Sequence, residues 1–97
     1  MLQFVLYCDL STMKCTAQDI NEELSKFADS YVQATNSLWF FRYPDGFDGN
    51  PLTKEEHLFY DHFEKFTGEE GIIFIGILKN HYFYNLPDSA HQFLCRE

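Results

Sequence analysis

The hydrophobic pattern changes period along the chain, and each change marks an element. Leu2 to Cys8 read LQFVLYC, apolar at nearly every position and ended by Asp9. Such a run suits a strand covered on both faces or lying under a layer of helices. Ser11 to Cys15 is a polar loop. Ala17, Ile20, Leu24 and Phe27 then recur at helical spacing, with Asp19, Glu22, Glu23 and Lys26 between them. Thr16 and Asp19 form a capping box, so the pattern predicts an amphipathic helix over 16–28.

Two β-rich runs follow, YVQAT at 31–35 and LWFFRY at 38–43, divided by Asn36-Ser37. They read as two strands joined by a tight turn, or as one long bent strand. Pro44 to Pro51 is turn chemistry throughout and predicts a long loop. Thr53 with Glu56 makes a second capping box. Behind it Leu58, Phe59, His62, Phe63 and Phe66 mark one face of a second helix, with Glu55, Asp61, Glu64 and Lys65 toward water. Gly68 ends that helix. Gly71 to Leu78, GIIFIGIL, is the most apolar strand of the chain. Lys79-Asn80 is read as a turn into a last strand at His81 to Leu86, and Pro87-Asp88-Ser89 as the cap of a final helical turn.

The order is β-α-β-β-α-β, which predicts a ferredoxin-like α+β domain over 1–97. The expected sheet is antiparallel, with two helices on one face and a short C-terminal strand or turn. The fourth strand then falls at a sheet edge. An apolar, uncharged edge is an aggregation hazard that soluble proteins cover, here with the segment 81–86 or with a second protomer. Ile73, Ile75, Ile77, Tyr82 and Tyr84 form the expected dimer edge.

Composition narrows the function classes. Aromatic residues make up 19% of the 97 positions, which excludes a disordered acidic tail. Lys and Arg number 7 against 15 Asp and Glu, a net charge of -8, so direct nucleic-acid binding is not expected. No apolar run approaches the ~18 residues of a membrane span. The start has neither a basic lead-in nor a small-residue cleavage site, so no signal peptide is expected and the chain is read as cytoplasmic. Cys8, Cys15 and Cys95 are irregularly spaced and read as reduced thiols.

Little catalytic chemistry stands out. His57 and Asp61 are helical neighbours, but two ligands are too few for a metal without His81 or His91. His62 is expected half-buried and His57 solvated. No nucleophile–base order and no Gly-rich phosphate loop appears. Tyr7, Trp39 and Phe41 fall on the strands that carry stacking rings in RNA-recognition sheets, yet core packing explains them. Glu22, Glu23, Glu55, Glu56 and Asp61 give the helices an acidic surface suited to a basic protein partner.

Three local features carry a resemblance. Tyr7-Cys8-Asp9-Leu10 at the end of the first strand resembles the CRISPR spacer-acquisition ferredoxin-like subunit, the VapD ribonucleases and the SinR-like proteins. Val32-Gln33 to Ser37-Leu38-Trp39-Phe40 resembles their second and third strands. Ile75-Gly76-Ile77-Leu78, with Leu86-Pro87 and Phe93-Leu94, is similar to SinR-like endings. The resemblance implies a homodimer and, in nuclease members, an Asp at the first strand's end that helps bind a divalent metal. Asp9 is the matching residue, with Mg²⁺ or Mn²⁺ as the implied cofactor. The pattern departs around the first helix, where nuclease members carry basic residues and this chain has Lys26 against Asp19, Glu22, Glu23 and Asp29.

The reading is therefore a small acidic protein-binding module without a cofactor. It is expected as a homodimer that docks on, and inhibits, a basic or nucleic-acid-binding protein. The alternative is a metal-dependent nuclease built on Asp9.

Overall fold

The computed structural model describes residues 2–43, 56–79 and 84–95, and the side chains of 56–58 and 60 are not described. Among these residues the chain is an α+β structure with a four-stranded antiparallel sheet and three α-helices. The strands are β1 (Leu2–Asp9), β2 (Ser30–Gln33), β3 (Leu38–Tyr43) and β4 (Ile72–Ile77). The helices are α1 (Ala17–Phe27), α2 (Glu56–Thr67) and α3 (Asp88–Cys95), and a single 3-10 turn, Leu10–Thr12, follows β1. The strand order is β2-β3-β1-β4, so β1 and β3 are central and β4 lies at an edge.

Local chemistry sets the boundaries. Thr16 caps α1 through its side chain on Asp19 N, while Asp19 accepts from Thr16 N, the reciprocal box expected from the sequence. β2 is shorter than the run that predicted it. It ends at Gln33, because Ala34 N and Thr35 N both turn back to the Leu38 carbonyl. Gly68 follows α2 with φ +61°, a left-handed conformation that glycine adopts without a Cβ penalty. The Lys14 side chain lies across it, and Lys14 N donates to Phe66 O (2.8 Å). The loop after β1 is thereby tied to the end of α2.

Alternation along the strands divides the side chains between two faces. Phe4, Leu6 and Cys8 of β1 and Trp39 and Phe41 of β3 point to one face. There they pack under Ile20 and Leu24 of α1 and Phe59 and Phe63 of α2, all buried. Rings interlock across this layer: Phe4 stacks on Phe41 at 5.1 Å and meets Phe59 edge-on at 5.2 Å.

The C-terminal expectation needs correcting. Residues 80–83 of the expected last strand, Tyr82 included, lie outside the described residues, and 84–86 are not a strand. Asn85 there has φ +58°. The final helical turn is a whole helix, α3, whose first backbone bond runs from His91 N to Pro87 O (2.9 Å). It covers the other face of the sheet, where Ala90 and Leu94 pack with Ala34 and Phe40 and touch Val5, Val32, Leu38 and Leu78. Arg42 pins it there. Its guanidinium sits 3.9 Å above the Phe93 ring and donates to the Phe93 carbonyl. The expected long loop and the Thr53 cap lie outside the described residues.

Candidate interaction surface

The antiparallel ladder fixes which groups of β4 face outward. Leu78 N donates to Gln3 O (2.8 Å), so Gln3 and Leu78 are a hydrogen-bonded pair. Bonded and non-bonded pairs alternate, and the register pairs Val5 with Gly76, Tyr7 with Phe74 and Asp9 with Ile72. Residues 72, 74 and 76 therefore turn their backbone groups toward β1. Ile73, Ile75 and Ile77 turn N–H and C=O groups away from the sheet, and among the described residues no strand pairs with them.

Side chains follow the same alternation with a different consequence. Ile73, Ile75 and Ile77, expected to form a dimer edge, are partly buried against the core under α1 and α2. Their contribution to an edge is backbone. Ile72 (51% exposed), Phe74 (62%) and Tyr7 (39%) reach solvent together on the face opposite those helices, while Tyr31, paired with Phe41, is exposed on the β2 edge. Sequence reasoning missed Ile72 and Phe74 as exposed, because the unbroken apolar run GIIFIGIL carries no alternation that marks its outer side. Tyr84 is exposed in the stretch leading to α3. Flanking the strand, Glu69 and Glu70 are exposed at its start and Lys79 at its end.

The acidic positions separate. Glu22 and Asp61 are exposed, Glu55 lies outside the described residues, and so does the side chain of Glu56. Glu23, expected to face a partner, is instead 4% exposed. It accepts from His62 Nδ1 (2.7 Å), Lys65 Nζ (2.8 Å) and Lys26 Nζ (3.3 Å), and so joins α1 to α2. Burial alone raises its pKa. The bonds from Lys65, His62 and Lys26 more than reverse that and hold the carboxyl at about 2. His62 is half-buried, as expected, and stacks on Phe27 at 4.2 Å. A charge-bearing group that a water-facing pattern had suggested is consumed by the fold.

Asp9 stands at the junction of β1 and the 3-10 turn. Its Oδ1 accepts from Ser11 N (3.2 Å) and Ser11 Oγ (2.6 Å), and its carbonyl accepts from Thr12 Oγ1 (2.7 Å). Thr12 Oγ1 in turn accepts from Ile72 N (3.0 Å), which joins this turn to the start of β4. Among the described residues no three His, Cys, Asp or Glu side chains gather as a metal site. Trp39 and Phe41 are buried and Tyr7 lies on the opposite face, so the three rings form no common platform. Trp39 Nε1 donates to Asn21 Oδ1 (2.9 Å) and Asn21 Nδ2 to Gln33 Oε1 (2.9 Å), a polar chain that sequence reasoning did not anticipate.

The three cysteines are free. Burial, reinforced by Cys15, pushes the Cys8 thiol up to about 12. Burial, then Asp19, raises that of Cys15. Neither has the lowered pKa of a reactive thiol. No described helix is long and apolar enough to cross a membrane. No family model, curated protein or solved structure matches the chain.

Proposed function

We propose that this chain is a homodimeric binding module that works by protein–protein contact and docks its acidic helix surface on a basic protein. The observation that carries the reading is β4: an edge strand without a charged residue, with its own Ile72 and Phe74 exposed, in a chain of net charge -8. Charge and Pro are the usual protections of such an edge, and a strand that lacks them fits a partner strand. The ferredoxin-like assignment belongs to this proposal and is supported by the order β2-β3-β1-β4 with α1 and α2 sharing a face. Inhibition of a basic or nucleic-acid-binding partner is the sharper form of the same reading. Glu22, Asp61 and Glu64 supply the exposed negative charge for it.

Two experiments address it. Affinity capture with the wild-type chain should retain a basic protein that a triple variant, Glu22→Lys, Asp61→Lys and Glu64→Lys, releases; equal retention by both would remove the acidic surface from the reading. Incubation with RNA and DNA in Mg²⁺ or Mn²⁺ at low salt should give no cleavage. Cleavage that disappears in Asp9→Asn would replace the binding module with the nuclease built on that residue.

A further inference from the structure

The outer edge of β4, unpaired among the described residues, has a polarity that selects its partner. The two edges of the sheet differ first. β2 has only four residues, SYVQ, and α1 and α3 pack near it on opposite faces. β4 has six, IIFIGI, and its far-face side chains Ile72 and Phe74 are left to solvent. Exposed Glu69 and Glu70 precede β4, and exposed Lys79 follows it.

We propose that the occupant of the β4 edge is the β4 of a second copy, antiparallel about a two-fold axis at Phe74, joining two sheets into one of eight strands. This rests on the homodimer reading above and specifies its geometry. Three observations select it. Charge complementarity comes first. Antiparallel pairing about Phe74 brings the Glu69–Glu70 end of each strand beside Lys79 of its mate, whereas parallel pairing sets acid against acid. Backbone polarity comes second. Ile73 and Ile75 both turn their N–H and C=O groups outward, so Ile73 of one copy and Ile75 of the other meet as a hydrogen-bonded pair on each side of the axis.

The third observation is the pleat. Opposed residues in a sheet share a face, so only registers that pair odd with odd positions set Ile73, Ile75 and Ile77 of both copies on one face. Of these, the register centred on Phe74 stacks the two exposed rings across a non-hydrogen-bonded pair and sets Ile72 over Gly76 of its mate. Centring on Ile75 would face each Phe74 with Gly76 and take Lys79 out of line with Glu69. The contact is isologous, so it closes at two copies instead of propagating.

A cysteine at the axis tests the geometry. Cα atoms in a non-hydrogen-bonded antiparallel pair lie about 4.5 Å apart, within disulfide range. In a Cys95→Ser background, Phe74→Cys should convert to a covalent dimer under mild oxidation, while Ile72→Cys should not. Phe74→Lys places two ammonium groups on the axis at a solvent-facing position. It should yield a monomer whose circular dichroism matches the wild type. Lys79→Glu should weaken the dimer about tenfold, and adding Glu69→Lys and Glu70→Lys should restore it. A wild-type monomer overturns both this pairing and the homodimer reading. A dimer that survives Phe74→Lys, or that crosslinks through Ile72→Cys and not Phe74→Cys, leaves the homodimer standing and overturns the pairing.

Discussion

On the face under α1 and α2, Phe4, Leu6, Cys8, Trp39 and Phe41 are sealed, and the one acid drawn into that layer, Glu23, carries three cationic or imidazole partners. On the opposite face the same strands are only half covered. Two helices, α1 and α2, lie on the first face and α3 alone on the second. α3 has eight residues, about 12 Å of helix. It packs on Phe40 and Ala34 with Val5, Val32, Leu38 and Leu78 around them, and Tyr7, Ile72 and Phe74 remain exposed. Stability is concentrated on the first face. Ile72, Phe74 and Tyr7 are exposed on the second, beside the outer edge of β4, which no described strand pairs.

Substitution in each layer should break this contrast if it is mistaken. Phe41→Ala removes a ring packed against Phe4, Phe27 and Phe59, and should cost about 4 kcal/mol in denaturant unfolding. Leu94→Ala, beneath a short helix that can settle onto the gap, should cost about 2 kcal/mol. Equal losses would mean that α3 is as integral to the core as α1 and α2.

Acid should act on the first face before the second. Glu23 has its pKa held near 2 in the folded chain, below the ordinary carboxylate value, so the unfolded state binds the proton first as pH falls. Its contribution is therefore complete above about pH 4.5 and lost between there and about pH 2. Its size is on the order of 2 kcal/mol, because Lys26 and Lys65 are half in water. Glu23→Gln should flatten that part of the stability–pH curve; an unchanged curve would detach the carboxylate from the helix pairing.

Much of this fold was legible in the sequence, and the exceptions have physical causes. The α1 box at Thr16 and Asp19, the stop at Gly68 and the runs of β1, β3 and β4 are local signals and fell where expected, while β2 ends at Gln33, short of its run. Glu23 was misread as water-facing because helical period assigns it to the rim of the apolar stripe. Only the approach of α2, far along the chain, supplies His62 and Lys65. The facing of β4 was missed because an unbroken apolar run carries no alternation from which to read its two sides. α3 was read as one turn because its apolar stripe is only Ala90, Phe93 and Leu94, and the surface that stabilises it comes from other strands.

The smallest expected effect is at Asp9. Asparagine retains an acceptor for Ser11 N and Oγ, so Asp9→Asn should change stability by less than about 0.5 kcal/mol and leave the oligomeric state unchanged. A larger loss by thermal unfolding would mean that the charge itself orders the turn beside β4.

Sedimentation equilibrium of the wild-type chain across the micromolar range bears on the two faces together. If the open edge of β4 is a protein-binding surface filled by a second copy, the mass settles near twice 11.5 kDa, with no higher species. A single 11.5 kDa species at every concentration would show that the chain closes this edge by itself, and would contradict the assignment of β4 as its interaction surface.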